Sequence, residues 1–183
     1  VCNLGAIADY EAMEKAGHVA HERKHAIVVD PVGISGSTYR RGLCKRLIGQ
    51  IHPTCIRGNY SEIRALIEDH NTVTGVDAGD SSLDIEALKQ YAREQLMIDA
   101  KMARITGSGC MSSVMLGAFL GAENSVRSAA ACCAFVGIAG EYAARKTDGC
   151  GGGTMTFRNY FIDEISLMTK EKLQGAIKID LRR

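Results

Sequence analysis

The sequence predicts an α/β domain whose sheet is largely parallel. Short apolar runs alternate along the chain with longer segments in which apolar residues recur every three or four positions, as in strands joined by helices. The run His25–Val29 is a continuous apolar segment that stops at Asp30-Pro31, the pattern of a strand buried on both faces. No repeat, low-complexity segment or linker divides residues 1–183, which suit a single domain.

The first predicted strand and helix come before residue 23. Val1–Ile7 is a short apolar run ended by a turn, and Asp9 can cap a helix that extends to about Glu22. The apolar residues of this helix recur at helical spacing and are expected to share one buried face: Ala12, Met13, Ala16, Val19 and Ala20.

Two further strands and two helices are predicted up to the middle of the chain. After the His25–Val29 strand, the loop over residues 32–37 leads to a helix over about Thr38–Gln50. Thr54–Gly58 is then a short strand and turn, and another helix starts at Ser61.

The second half of the chain is predicted to be mostly helical. Ser81-Ser82 can cap a helix that ends near residue 97. Two long helices rich in small residues follow, over about 109–122 and 124–145. A glycine-rich loop over Gly149–Gly153 then precedes a last helix, which carries Phe157, Phe161, Ile162, Ile165 and Leu167.

The segment Thr106–Cys110 is a glycine turn that opens a helix. The first-turn N–H groups of a helix have no intrahelical partner and lie at the positive end of the helix dipole, so such a turn can bind an anion. A cysteine in this turn, here Cys110, lies where its thiolate is favoured. The alternative is that the glycines only begin a buried helix and that Cys110 is a small core residue. Taken without the rest of the chain, the segment favours this alternative, because short glycine motifs often match by chance.

Polar residues that suit phosphate chemistry follow the predicted strands. Asp30 ends one strand, Arg57 follows the next, and Asn59 and Glu62 start the helix after it. Ligands of open parallel sheets bind at the carboxyl ends of the strands. Asp30 and Glu62 can hold Mg²⁺ beside phosphates, and Arg57 can clamp a phosphate with two hydrogen bonds. With the Gly107 turn, these residues predict phosphoryl transfer, which depends mostly on positioning and charge neutralisation.

Each of these polar residues also has a purely structural explanation. Asp30 can simply end its strand, and Arg57 can be a surface charge. Asn59 and Glu62 match a capping box, with asparagine at the N-cap and glutamate three residues later. Taken singly, the structural explanations are at least as good, but together, at consecutive strand ends, the residues favour a site.

Composition excludes several classes of function. The formal net charge is only +1, so no overall field recruits nucleic acid or an acidic membrane. The basic cluster Arg40-Arg41 and Lys45-Arg46 is expected to be a solvated helix face. Tryptophan is absent and aromatic residues make up 5%, which argues against stacking on single-stranded nucleic acid. Seven cysteines without zinc-ligand spacing predict free thiols in a cytoplasmic protein.

Five segments carry a resemblance to a known family. They occur in the family's order between Val1 and about Ile165, and they are Val28–Gly33, Ile56–Glu62, Gly75–Asp77, Ile105–Met111 and Ala139–Ala144. Together they resemble hydroxyethylthiazole kinase, the thiamine-salvage member of the ribokinase-like kinases. The combination of Arg-Gly-Asn-x-Ser-Glu with a Gly-x-Gly-Cys turn is fairly specific, because most ribokinase-like enzymes have aspartate where Cys110 stands.

The resemblance implies a fold, a reaction and an assembly. The fold is the ribokinase-like three-layer α/β/α sandwich with a mainly parallel sheet. The reaction is transfer of the γ-phosphoryl group of ATP to the primary hydroxyl of 4-methyl-5-(2-hydroxyethyl)thiazole, with Mg²⁺. The assembly is a homotrimer with sites at subunit interfaces.

The resemblance also implies a role for each matching residue. Cys110 faces the substrate hydroxyl, and Gly107 borders the thiazole. Ser108 and Gly109 complete the phosphate-binding turn with Gly107. The other implied roles are ATP and phosphate binding by Arg57 and by Asn59, which also orients groups nearby, and binding of Mg²⁺ by Asp30 and Glu62.

The chain also differs from the family pattern, which leaves alternatives open. The family has an amino-terminal portion that precedes the segment matching Val1. It also has a strand and a hairpin for which residues 95–104 leave no room. The alternatives to a thiazole kinase are therefore a non-catalytic remnant or assembly module of the same fold, or a ribokinase-like kinase for another small alcohol.

Overall fold

The computed structural model of the chain describes residues 1–68, 99–102 and 104–177. The chain forms two compact units, Val1–Ala92 and Arg93–Arg183. The predicted helix after Ser81-Ser82 and the segment Gly75–Asp77 lie outside the described residues. One domain over residues 1–183 stays a prediction.

A parallel three-stranded sheet forms the centre of the first unit. Its strands are β1 (Cys2–Asn3), β2 (Val28–Asp30) and β3 (Cys55–Ile56), and β2 lies between the other two. Cys2 pairs with Val29, and Val29 in turn pairs with Ile56. All three residues of β2 are buried, as expected for the continuous apolar run that forms this strand.

Three helices of the first unit have the positions that the sequence predicts. They are α1 (Tyr10–Glu22), α2 (Thr38–Ile51) and α3 (Tyr60–Glu68). The α2 helix begins where predicted because the Ser37 hydroxyl accepts a hydrogen bond from the N–H of Arg40, which is N-capping by a serine.

The buried face of α1 differs from the predicted one. Its buried residues are Tyr10 and Gly17, whereas Ala12, Ala16 and Val19 are exposed. A Cβ atom on Gly17 would lie 2.6 Å from Cγ2 of Ile51 in α2, so the glycine is what lets the two helices approach. The apolar spacing alone does not reveal this, because glycine is not a hydrophobic residue.

The described part of the second unit is helical. It contains α4 (Asp99–Met102), α5 (Ser108–Ala122), α6 (Val126–Gly149), α7 (Thr154–Ser166) and α8 (Lys170–Ala176). The α6 helix extends four residues beyond its predicted end. The α8 helix was not predicted, although Thr169 marks its start by accepting a hydrogen bond from the N–H of Lys172.

Glu164 of α7 joins three helices of the second unit through an ionic cluster. Its side chain is 1% exposed, and its carboxylate contacts Lys146 of α6 at 2.7 Å and Lys172 of α8. Burial by itself raises the pKa of Glu164, but the hydrogen bonds and charges of the two lysines outweigh burial and lower this pKa. The carboxylate is therefore held in its charged form.

No helix within the described ranges combines the length and the apolar character that crossing a membrane requires.

Candidate functional site

The predicted site residues fall into two groups, one in each unit. Asp30, Arg57, Asn59 and Glu62 belong to the first unit, and the turn Gly107–Cys110 belongs to the second. That the two groups line one crevice stays a prediction.

Asp30 is the last residue of the central strand, and it is buried. Its exposed fraction is 2%, and its Oδ2 accepts a hydrogen bond of 3.0 Å from Nδ2 of Asn3 on the neighbouring strand. Its carbonyl accepts the N–H groups of Leu4 and Val32 at 3.0 and 2.9 Å. The backbone turns sharply at this point, which places a carboxylate at the carboxyl end of β2, where ligands of parallel sheets bind.

Glu62 links the loop after β2 to the start of α3. Its Oε2 accepts the N–H of Asn59 at 2.9 Å, and Oδ1 of Asn59 accepts the N–H of Glu62 at 3.0 Å. This is the capping box that the sequence offered as the structural explanation of these two residues. The other carboxylate oxygen, Oε1, accepts the N–H of Gly33 at 2.9 Å. Both oxygens of a buried carboxylate are thus held by backbone donors.

The absence of a side chain at Gly58 allows Pro31 and Glu62 to lie close to the backbone of residue 58. A Cβ atom at residue 58 would lie 2.9 Å from Cγ of Pro31 and 3.2 Å from both Cβ and Oε2 of Glu62. Gly33 has a φ of +72°, a conformation that favours glycine. The two glycines therefore allow the loop after β2 and the segment after β3 to meet around the Glu62 carboxylate.

The charges of Asp30 and Glu62 both raise the pKa of a buried thiol, that of Cys44. Cys44 of α2 is fully buried, and its burial raises its pKa to about 11, with further contributions from the charges of Asp30 and Glu62. Asp30 and Glu62 therefore concentrate negative charge in one region of the first unit. A site with this charge favours a cation or a cation-bearing ligand.

Two arginines of α2 bond to the segments that follow β1 and β2. Nη1 of Arg40 donates to the carbonyl of Leu4 at 3.1 Å, and Nε of Arg41 donates to the carbonyl of Ile34 at 3.3 Å. The expectation that these arginines form a solvated helix face is wrong, because both are half-buried and bonded to backbone carbonyls. The spacing of residues within α2 could not show this, since both acceptors lie outside that helix.

Arg57 directly follows β3, where the sequence predicted a phosphate clamp. Its N–H donates to the carbonyl of Val29 at 3.0 Å, which continues the sheet pairing for one more residue. Its side chain is half-buried. The backbone pairing places Arg57 at the same edge of the sheet as Asp30.

The glycine turn of the second unit opens α5 as predicted. Gly107 is the N-cap residue with a φ of +90°, which favours glycine, and the N–H of Met111 is the first to donate along the helix, to Gly107. Cys110 lies in the first turn and is half-buried.

Ser108 is used within the turn itself. Its hydroxyl donates to the carbonyl of Met102 at 2.9 Å, and its N–H donates to the carbonyl of Ile105 at 3.3 Å. These bonds tie the start of α5 to α4 and shape the turn. A phosphate-binding role for Ser108 stays a prediction, and these contacts give the residue a structural role as well.

The donor set of the first unit fits Mg²⁺ in one particular way. Within the described ranges, no group of three His, Cys, Asp or Glu side chains could hold a metal ion. Magnesium is usually held by one or two carboxylates together with waters and substrate phosphates. Each carboxylate oxygen has two lone pairs, so Glu62 can accept a further ligand beside its backbone donors. Asp30 and Glu62 therefore suit a magnesium ion that arrives with a nucleotide.

A small pocket in the first unit lies away from these residues. Its volume is about 260 Å³, and its lining includes Cys2, Ala12, Ala16 and Ile27. Ile27 precedes β2, so the pocket lies at the amino-terminal ends of the strands, opposite the edge that carries Asp30. It is not part of the predicted phosphate site.

Sequence reasoning missed two residues of this arrangement, Asn3 and Gly33. Asn3 pairs with Asp30 in the sheet register, and Gly33 donates to Glu62. The available signals were an Asn-x-Gly segment at the end of a strand and a glycine three residues beyond Asp30.

The comparisons with known proteins agree on one family. The hydroxyethylthiazole kinase family model matches residues 1–101 and 99–171. The hydroxyethylthiazole kinase of Clostridium botulinum strain Eklund 17B is 31% identical over 210 residues, covering 98% of this chain and 75% of that protein. The corresponding protein of Clostridium acetobutylicum is 30% identical, covering 97% and 77%.

A solved structure supports the fold. The hydroxyethylthiazole kinase from Pyrococcus horikoshii OT3 superposes with a TM-score of 0.66 and 18% identity, covering 90% of this chain and 68% of that one. These matches define the chain as a kinase with the ribokinase-like α/β fold. More narrowly, the chain belongs to the hydroxyethylthiazole kinase family, as its sequence motifs predict.

The same comparisons bear on the segment predicted to be missing. The two parts of the family match meet at residues 99–101, inside the stretch 95–104 where the sequence leaves no room for the family's strand and hairpin. The alignment with the C. botulinum protein spans 210 residues, more than the 183 of this chain. That relative therefore contains residues without a counterpart here, and their place between residues 95 and 104 stays a prediction.

Proposed function

We propose that this chain transfers the γ-phosphoryl group of ATP to the primary hydroxyl of 4-methyl-5-(2-hydroxyethyl)thiazole. The observation that carries the proposal is the Asp30–Glu62 arrangement in a chain of this family. Two carboxylates are fixed by backbone and side-chain donors at the carboxyl ends of parallel strands. Fixed groups are what phosphoryl transfer requires, because most of its catalysis is positioning and charge stabilisation.

The first unit handles the nucleotide phosphates in this proposal. Asp30 and Glu62 hold Mg²⁺, which neutralises charge on the phosphates when bound. Arg57, at the same edge of the sheet, clamps phosphate oxygens through its guanidinium group. Asn59 fixes the rotation of Glu62 through the reciprocal bonds of the capping box.

The second unit handles the acceptor alcohol. The sulfur of Cys110 in the first turn of α5 orients the substrate hydroxyl and, as the thiolate, accepts its proton while the hydroxyl oxygen bonds to the γ-phosphorus and ADP leaves. Gly107 borders the thiazole. The phosphate lies against the turn that Gly107, Ser108 and Gly109 form at the start of α5. The N–H and hydroxyl of Ser108 also bond inside this turn and shape it.

The proposal includes a homotrimer in the cytoplasm. The resemblance implies this assembly, and the seven cysteines, all free thiols, suit a reducing compartment. Light scattering on the purified chain measures the assembly directly.

Calorimetric titration tests the proposal as a whole. The chain is titrated with Mg-ATP in the presence and absence of hydroxyethylthiazole, after circular dichroism has verified folding. We expect saturable binding that tightens with the thiazole, together with thiazole phosphate production. A folded sample that binds neither ligand would overturn the proposal and favour a non-catalytic remnant, and phosphorylation of a different alcohol alone would favour the other kinase alternative.

Two variants test the residue assignments. Arg57→Ala weakens Mg-ATP binding about tenfold or more through the loss of a charge-assisted phosphate contact, whereas Arg127→Ala on the exposed start of α6 does not. Cys110→Asp keeps or raises kinase activity, whereas Cys150→Asp on the exposed loop leaves it unchanged. An unchanged nucleotide affinity in Arg57→Ala would remove Arg57 from the site.

A further inference from the structure

The side chain of Asn3 is held at both ends. Its Nδ2 donates to Oδ2 of Asp30 at 3.0 Å, and its Oδ1 accepts the N–H of Gly5 at 2.8 Å. Asn3 and Asp30 are also directly paired on adjacent parallel strands. The amide therefore bridges from a turn after β1 to the carboxylate at the end of β2.

The bond to Gly5 determines which end of the amide faces Asp30. Because the oxygen of the amide takes the Gly5 N–H, its NH₂ group must point toward the carboxylate. A Cβ atom at residue 5 would lie 2.7 Å from Oδ1 of Asn3, so a glycine allows this close contact. The orientation of the donor is thus fixed by the backbone and does not depend on Asp30.

Asp30 needs such a donor. Its exposed fraction is 2%, and a buried carboxylate is stable in one orientation only if hydrogen-bond donors hold it. Asn3 comes from a different strand and donates to one named oxygen, so it restrains the rotation of the carboxylate plane. A group that carries out this task beside a metal ligand normally changes metal affinity or activity about 10–100-fold when it is removed.

We propose that Asn3 is a positioning residue, which orients the Asp30 carboxylate for the nucleotide-bound cation. The inference rests on the proposed function, in which Asp30 serves the Mg²⁺ region. Asn3 acts through Asp30 and not on the substrate. The competing explanation is that Asn3 only shapes the turn through Gly5, which requires its oxygen but not its NH₂ group.

Asn3→Asp separates the two explanations. Aspartate keeps the oxygen that accepts the Gly5 N–H, and it replaces the donor with an oxygen that faces another carboxylate. Asn3→Ala removes both contacts. The matched control is Thr54→Val, which removes one hydrogen bond of 3.1 Å, from the N–H of Ile27, at the opposite end of the same sheet.

Binding of Mn²⁺ to the chain with ADP, followed by electron paramagnetic resonance, is the first measurement, and kinetics are the second. We expect Asn3→Asp and Asn3→Ala to weaken Mn²⁺ binding about tenfold or more and to lower kcat, with KM for the thiazole alcohol unchanged. Thr54→Val should bind Mn²⁺ like the wild type.

Three results would contradict this inference or its basis. Unchanged or tighter Mn²⁺ binding by folded Asn3→Asp overturns the positioning role and leaves the turn as its explanation. An equal loss in Thr54→Val shows a general effect of weakening the sheet and also overturns it. If the wild-type chain binds neither Mn²⁺ nor ADP, the proposed function itself fails, and the Asn3 variants are not the cause.

Discussion

Replacing Glu62 with glutamine is expected to destabilise this protein, although the substitution is nearly isosteric. The two carboxylate oxygens of Glu62 accept two backbone N–H groups, those of Gly33 and Asn59, each at 2.9 Å. A glutamine side chain offers one oxygen and one NH₂ group. Whichever way the amide is turned, one of the two N–H groups therefore faces another donor.

The size of the effect follows from these two bonds. A hydrogen bond to a charged group contributes about 1.5–3 kcal/mol, and a buried donor left without an acceptor costs about 1–3 kcal/mol. Glu62 is 8% exposed, so water reaches it poorly. We expect Glu62→Gln to lower the free energy of unfolding by about 2–3 kcal/mol, and Glu62→Ala to lower it at least as much.

Urea unfolding in the presence of EDTA provides the assay. The chelator removes any contribution from a bound cation, so a loss that persists must come from the backbone contacts. Glu11→Gln on the exposed start of α1 is the matched control and should change the free energy of unfolding by no more than about 0.5 kcal/mol. A Glu62→Gln value within the same range would refute the reasoning.

Two further predictions concern packing and charge. Gly58→Ala should lower the free energy of unfolding by about 1–2 kcal/mol, because overpacking against Pro31 and Glu62 exceeds the gain from a stiffer unfolded chain. In contrast, Gly42→Ala in α2, where a Cβ meets nothing within 4 Å, should raise it by up to about 1 kcal/mol in the same urea experiment. The pKa of Glu164 is lower in the folded protein than in the unfolded chain, where it is about 4.3. The charged carboxylate therefore contributes fully to the free energy of unfolding above this unfolded-state pKa, and the contribution is lost as pH falls through the folded-state pKa. As pH is lowered from 7 to 3, the urea midpoint of unfolding should therefore fall less steeply in Glu164→Gln than in the wild type. Equal slopes would contradict this assignment.

Local chemistry explains what could be predicted from the sequence. The helix over Thr38–Ile51 starts where it was predicted and ends within one residue of its predicted end. Its start could be predicted because the capping serine, Ser37, directly precedes it in the sequence. The capping box of Asn59 and Glu62 was also visible, because both partners lie within one turn. The central strand was recognisable from its apolar run and the Asp30-Pro31 that follows it.

The remaining contacts join residues that are distant in sequence. Asn3 and Asp30 meet only because β1 and β2 pair, and Gly33 meets Glu62 only because β2 and β3 are adjacent. The identity of each partner depends on sheet register, which no local pattern specifies. For the same reason, the sequence identified both carboxylates of the candidate site but, apart from Asn59, not the groups that hold them.

The loop after β2 has an energetic consequence for any ligand that binds beside it. Arg40, Arg41 and Glu62 hold this loop and its neighbour through named backbone atoms. Fixing the backbone of one residue costs about 1–2 kcal/mol of conformational entropy. Because this loop is ordered when the protein folds, the cost does not arise again when a ligand binds. A nucleotide that docks at this edge would meet a surface that is already ordered, so its contact energy would appear as affinity and would not be spent on organising the protein.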